Sequence, residues 1–305
     1  MLRIIRIIVF CLVPVSVSAQ LVPVTDQYML NPMTINPAFA GGRGALNIAT
    51  FYRIQWIGLQ GAPETLTYSM DAPFVNNRLG LGLMLINDRI GVKRENQFNT
   101  AYAYRIKLKK GLLAFGLGAG VILTRSTNSD LVVIDPGDEQ FLANSPLFVV
   151  PNFSFGIQYS SKKYFAGFSI PKLLSYTFDF TRNKYVLNND LGNYSYMLNT
   201  GYVFDLTSNV RFYPSTLLMY SKTYKFQYDL NAHFCFFDRV WAGASYRSGR
   251  TVSALLQVQP FNQIRIGYTF DFDINKLARY ENGTHEIMLR YEFRYKVNAV
   301  NPLIF

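Results

Sequence analysis

Hydrophobic and polar residues alternate with a period of two along most of this chain. The clearest case is "HEIMLRYEFRYKV" at 285–297. His285, Ile287, Leu289, Tyr291, Phe293, Tyr295 and Val297 share one parity; Glu286, Met288, Arg290, Glu292, Arg294 and Lys296 share the other. Side chains of a strand point alternately to its two faces, so this segment predicts a strand with an apolar face and a charged one. "YKFQYDLNAHFCF" (224–236), "FNTAYAYRIKL" (98–108) and "IRIGYTFDF" (264–272) repeat the pattern. Scanning for it predicts strands near 44–53, 63–71, 78–87, 95–108, 111–124, 149–160, 163–170, 193–205, 209–219, 224–237, 239–247, 250–259, 262–272 and 284–297. The spans 163–170 and 239–259 carry the weakest marks, so twelve or sixteen strands are the neighbouring counts.

Alternation alone also describes a soluble sandwich. Strand length separates the two: these strands reach the roughly 9–11 residues that a tilted membrane strand needs, against about 5–6 in soluble sheets. Aromatic residues gather near the strand ends, as interfacial girdles require. The connections add a parity test. With an inside amino terminus the even-numbered ones face the periplasm and are short. They read "APFVNN", "KK", "SK", "TSN", "D" and "FN", whereas the stretches 125–148, 171–192 and 273–283 all fall on odd positions. An open sheet edge is too costly in lipid, so the sheet closes. The expected fold is all-β: a transmembrane antiparallel outer-membrane β-barrel of about 14 strands, with Arg290, Glu292, Arg294 and Lys296 in its lumen.

The amino terminus fits export. Arg3 and Arg6 precede an apolar core, Ile7 to Val15, and Val17 and Ala19 stand where a cleavage site wants small residues. A signal peptide over 1–19 is expected. Its loss would remove two of the 30 basic residues from a chain of formal charge +11, and leave Cys235 as the one remaining cysteine, so no internal disulfide is expected. Residues 20–43 then precede a barrel over 44–305. They contain "DQYMLNPMTINPAF" (26–39), in which proline keeps Asn31 and Asn36 out of the helical region and the asparagine side chains suit Asx-type turns. Tyr28, Asn31, Pro32, Asn36, Pro37 and Phe39 are the candidate residues of a lumen plug or of a periplasmic docking element. Both readings stay open.

Catalytic chemistry finds little support. There are two histidines. His233 shares a face with Asp229 and Asn231, but no serine is placed to complete a hydrolytic group, and His285 opens the last strand at an interface position. Asp130, Asp135, Asp138 and Glu139 lie in an external-loop stretch without the order of an EF-hand loop. No metal or cofactor is expected. The positive charge is diffuse and forms no stripe suited to nucleic acid. The loop stretch "PKLLSYTFDF" (171–180) carries Leu173, Leu174, Tyr176, Phe178 and Phe180. Apolar residues in an external loop either pack on the rim or meet a partner, and the first four are candidates for partner contact.

The motifs also resemble those of a known family. "DQYMLNPMTINPAFAGG" (26–42) is similar to the amino-terminal signature of the PorP/SprF family of the Bacteroidota type IX secretion system. The likeness continues in "TFYRIQWIGLQGAPETLTYSMDAPF" (50–74), with Arg53, Gln55, Trp56, Gly61, Pro63, Tyr68 and Asp71 at family positions. "LGLGLMLINDRIG" (79–91), "TAYAYRIKL" (100–108) and "GTHEIMLRYEF" (283–293) follow; 125–195 carries little signature. The resemblance implies a non-enzymatic outer-membrane component of secretion and gliding machinery; the parity of the connections is what puts both termini on the periplasmic side. As partners the resemblance implies a secreted adhesin with a type B carboxy-terminal domain, periplasmic peptidoglycan-binding lipoproteins and the secretion ring. A binding and anchoring platform is therefore the expected function. The alternative is a channel or transporter for a hydrophobic or small solute, with the amino-terminal segment as a movable plug.

Overall fold

Seventeen β segments build the computed structural model, which describes residues 25–128, 144–179, 182, 184–222, 225–249 and 251–293. In chain order they are β1 (Leu46–Ile54), β2 (Glu64–Phe74), β3 (Leu79–Ile90), β4 (Lys93–Leu108), β5 (Gly111–Ser126), β6 (Phe148–Ser160), β7 (Tyr164–Ile170), β8 (Tyr176–Asp179), β9 (Lys184–Leu187), β10 (Tyr196–Tyr202), β11 (Phe204–Asp205), β12 (Val210–Ser221), β13 (Lys225–Phe236), β14 (Val240–Arg247), β15 (Thr251–Val258), β16 (Ile264–Asp273) and β17 (Thr284–Phe293). The proposed leader 1–19, the acidic loop residues Asp130, Asp135, Asp138 and Glu139, Phe180, and the chain beyond Phe293 with Arg294 and Lys296 lie outside the described residues.

Every neighbouring pair is antiparallel, and β1 pairs with β17 to join the first strand to the last. β10 pairs with both β7 and β12, so the sheet is a closed barrel of 14 strands, β10 and β11 being two parts of one. The break between them sits opposite Pro214. Gly201 pairs with Ser215 and Phe204 with Phe212 in one continuous register, yet Tyr202 and Val203 make no ladder pair with β12. Proline has no N–H to offer a neighbouring strand. The Val203 amide instead donates to Lys163 O at 2.8 Å.

The period of two becomes the inside and outside of the wall. On β17, Ile287, Leu289 and Phe293 are exposed on the outer face, while Glu286, Met288, Arg290 and Glu292 are buried within the lumen. On β13, Phe226, Leu230 and Phe234 face out, and Gln227, Asp229, Asn231, His233 and Cys235 face in. The expected strand boundaries hold within a few residues. β2 runs on to Phe74, shortening its turn, and β10 starts only at Tyr196, after a 3-10 turn at Leu191–Asn193.

The connections sort as the parity predicts. Those at 75–78, 109–110, 161–163, 206–209, 237–239 and 259–263 share one end of the barrel and are all short. The opposite end carries the long ones, 55–63, 127–147, 171–195 and 274–283. One of these holds a structure that alternation does not reveal: β8 and β9 pair with each other as a separate hairpin over the mouth. Among the described residues no helix is long and apolar enough to cross a membrane.

Candidate functional site: the occupied lumen and the loop mouth

The segment from Thr25 to Arg43 lies inside the barrel. Its local shape follows from its two Asn-Pro pairs. Asn31 and Asn36 are non-helical, at φ −129° and −151°, and each precedes a 3-10 turn, Pro32–Thr34 and Pro37–Phe39. Asn36 makes the Asx-type turn expected of it: its side-chain oxygen accepts from the Ala38 amide at 2.9 Å. Its Nδ2 bridges Ile157 O and Phe168 O at 3.1 and 3.3 Å, on β6 and β7. Asn31 makes no such cap. Its Nδ2 donates to Ser69 Oγ at 2.7 Å instead, so it serves the wall and not the turn.

Apolar points radiate to three sectors of the wall. Met33, Phe39 and Ala40 pack on Ala101, Ala103 and Phe165. Tyr28 and Ile35 pack on Met197, Leu217 and Met219. Leu30 packs on Ala49, Phe51 and Met288. Against β3, β5 and β6 the approach is closer still. A Cβ at Gly80 would overlap Ala40 O, at Gly116 the Ala38 amide, and at Gly156 Asn36 Oδ1. The wall there lacks side chains where the segment needs their space.

The charged contacts fix the segment's direction. The Asp26 and Gln27 amides donate to the two oxygens of Glu286, each at 3.1 Å. Arg53 pairs with Asp26, with Glu286 at 3.1 Å and with Asp271 at 2.7 Å. Arg247 reaches Asp26 at 3.2 Å and Asp229 at 2.8 Å. Arg53 and Arg247 close β1 and β14, Asp271 stands near the end of β16, and Glu286 near the start of β17. All are at the long-connection half. The other end of the segment meets the short-turn end: the Gly41 amide donates to Asp71 Oδ2 at 2.8 Å, Arg105 donates to Ala40 O, and Arg43 pairs with Glu292 at 3.5 Å. The segment thus runs along the lumen from the long-connection half down to the start of β1.

Of the six residues singled out in this segment, Tyr28, Asn31, Asn36, Pro37 and Phe39 are buried and Pro32 is half-buried. Tyr28 accepts from Asn231 Nδ2 at 2.7 Å through its hydroxyl oxygen. Sequence reasoning missed their partners. Arg53 and Glu286 lie within motifs of the family resemblance, but nothing there names their partners; Asp271 and Arg247 were legible only as polar members of alternating strands, and the wall glycines were not marked as contact points.

At the loop mouth, Leu173, Leu174, Tyr176 and Phe178 are all half-buried. The Leu173 amide donates to Phe153 O at 2.8 Å. Phe178 meets Phe148 and Tyr185 edge to face, with centroids 5.5 and 5.1 Å apart. These residues chiefly build the loop. The apolar side chains it presents outward are Val186, Leu187 and, at 70% exposure, Leu191. All three lie beyond the apolar run 171–180 that the sequence singles out.

The polar face around His233 assembles no catalytic group. Asp229 is held by Arg247 through two hydrogen bonds of 3.0 and 2.8 Å, and Asn231 is engaged with Tyr28. His233 Nε2 is buried without a partner among the described residues. His285 faces outward, with Nδ1 2.6 Å from the Tyr268 hydroxyl. Among the described residues no cluster of His, Cys, Asp and Glu is arranged for a metal.

Comparison with known proteins agrees with this architecture. Residues 17–291 match the family described as type IX secretion system membrane protein PorP/SprF. No curated protein matches the chain. Among solved structures, the CymD monoaromatic hydrocarbon channel is similar in fold, with a TM-score of 0.54 at 9% identity, covering 90% of this chain and 95% of that one. The toluene transporter TbuX of Ralstonia pickettii has a TM-score of 0.52 at 7% identity, covering 92% of this chain and 96% of its own. At such identities the likeness is one of fold.

Proposed function

Given that the chain belongs to the PorP/SprF family of type IX secretion membrane proteins, we propose that this outer-membrane barrel is a non-enzymatic binding and anchoring platform. On this reading the long connections face the cell exterior and hold a secreted adhesin with a type B carboxy-terminal domain. The short-turn end faces the periplasm, where it meets peptidoglycan-binding lipoproteins and the secretion ring, and the chain ends on that side. In this orientation Thr25 and Asp26 lie in the outer half of the lumen, well above the periplasmic entrance.

The observation that carries the proposal is the filled lumen. Residues 25–43 traverse it and are fastened to several sectors of the wall, by ion pairs of Asp26 with β1 and β14 and of Arg43 with β17, and by close packing on β3, β5 and β6. A conduit for solutes needs an open bore or a loosely held stopper; an anchoring protein needs a rigid one. The exposed Val186 and Leu187 of the hairpin and Leu191 beyond it offer apolar area at the proposed adhesin-facing mouth.

Crosslinking in intact cells, from a photoreactive residue at position 191, tests the reading. Recovery of a secreted surface protein is expected. Failure to recover one, together with solute uptake that is lost on deletion of the chain, would overturn the platform in favour of the transporter.

A further inference from the structure

Outside the lumen, three arginines stand in one row on the lipid-facing side of the wall. Arg89 on β3 is the ladder partner of Arg94 on β4, and Arg94 is that of Arg125 on β5. All three are exposed. They alternate along their strands with Asp88, Glu95 and Thr124, which face inward, and share the outer face with Leu85, Phe98 and Leu117. Side chains directly opposite on neighbouring strands lie about 5 Å apart at Cβ, and like charges placed so repel one another. Glu64 on β2 stands opposite Arg89 and offsets one charge. Among the described residues none of the three arginines forms an ion pair. The row keeps an excess of positive charge.

That charge is confined to one sector. On β10, β12, β13, β14 and β16 the outward residues nearest the long connections are Tyr196, Tyr220, Phe226, Tyr246 and Phe272. Those positions form the aromatic girdle expected where a barrel meets the interface, so the arginines are not part of a general basic rim.

Their height follows from the strand. The outward residues of β4 are apolar or aromatic from Phe98 to Leu108, apart from Thr100. This run covers roughly 34 Å of strand at about 3.4 Å per residue, or about 25 Å of height at a tilt of about 40°. That is the height of the apolar band of such barrels. Arg94 stands just past its edge. Between the cations and the apolar wall, Asn87 donates to Asn96 at 2.6 Å. An occupant of this surface has to bring negative charge to the interface and an apolar body below it. Guanidinium groups bind phosphate through paired hydrogen bonds, and the exposed Leu85, Phe98 and Leu117 offer a bed for acyl chains.

We propose that the row Arg89, Arg94 and Arg125 binds the phosphorylated headgroup of an outer-leaflet glycolipid, whose acyl chains lie on the apolar wall of β3–β5. The choice of leaflet rests on the platform reading, in which the long connections face the cell exterior.

Native mass spectrometry of the purified full-length barrel in detergent, titrated with lipid A, tests the proposal. Dephosphorylated lipid A and phosphatidylglycerol, a phosphate-bearing lipid of the opposite leaflet, are the comparison ligands. Retention of lipid A is expected, weakened about tenfold or more by loss of its phosphates and by the combined change Arg89→Gln, Arg94→Gln and Arg125→Gln. Lys109→Gln with Lys110→Gln removes two cations from the short turn between β4 and β5, at the other end of the barrel, and should leave binding unchanged. Heat-modifiability on gels confirms that both variants fold. Absence of lipid A binding, binding that survives dephosphorylation or the arginine changes, an equal loss in the lysine variant, or a preference for phosphatidylglycerol would overturn the proposal. Failure here with a secreted protein still crosslinked at position 191 leaves the platform standing. Lipid A binding without such a protein in cells supports the row and counts against the platform alone.

Discussion

Two sides of the lumen hold the same segment by opposite means. On the side of β1, β14, β16 and β17, it is held by what the wall adds: Arg53, Arg247, Asp271 and Glu286 converge on Asp26 and the backbone beside it. On the side of β3, β5 and β6, it is held by what the wall omits, at Gly80, Gly116 and Gly156. The charged side is specific but costly to assemble, because each ion must leave water, and its loss hurts mainly through the partners left unpaired. The glycine side costs little but admits only one shape. One side therefore fails when a side chain is removed, the other when one is added.

That contrast can be broken from either side. The largest effect is expected from Arg53→Ala, which strands Asp271 and Glu286 in a buried site and leaves Asp26 to Arg247 alone; a loss of about 3–5 kcal/mol is expected in urea unfolding from lipid vesicles, and ion conductance across a planar bilayer should rise as the segment loosens. Restored conductance block in an Arg53→Ala, Glu286→Gln double variant would show that stranded charge, not lost packing, drives the effect. Gly156→Val should cost about 1–3 kcal/mol by overpacking, because its side chain meets Asn36 Oδ1. If it behaves like wild type in both assays, the glycine side is not needed for seating. Asn36→Ala should cost about 0.5–2 kcal/mol, the range for lost caps, and more than Asn31→Ala, whose side chain makes a single wall hydrogen bond. At the far end, Leu191→Ser should leave unfolding within about 0.5 kcal/mol of wild type, since the side chain packs on nothing that the barrel needs. A reduced yield of crosslinked surface protein would place it in the partner's contact area.

The barrel was legible because its signal is local. Alternation along each strand fixes which residues face lipid, and parity of the connections needs only their lengths. The turn at Asn36 was legible for the same reason, since its donor lies two residues away. The cross-lumen pairs were not. Asp26 meets Glu286 across a separation of 260 residues, and nothing in either neighbourhood marks the other as its partner. Gly80, Gly116 and Gly156 look like any strand glycine until the segment is seen against them. The loop candidates show a third kind of limit. Apolar residues clustered in sequence at 173–178 are half-buried and build the loop, while Val186, Leu187 and Leu191 farther along are left outside, because which part of a loop folds back is decided by contacts that sequence spacing does not record.

The pairing of Asp26 and Gln27 with β17 also sets an order of events. Glu286 is on β17, which takes its place beside β1 only when the sheet closes. Before that moment the amides of Asp26 and Gln27 have no carboxylate to meet, and Arg53 faces an unfinished wall. Contacts spanning nearly the whole chain form late, after the loop they close has been organised. The seated segment is therefore a signature of completed assembly: a barrel that stalls short of its final strand, or closes in the wrong register, is left with its bore unstoppered and its arginines unanswered.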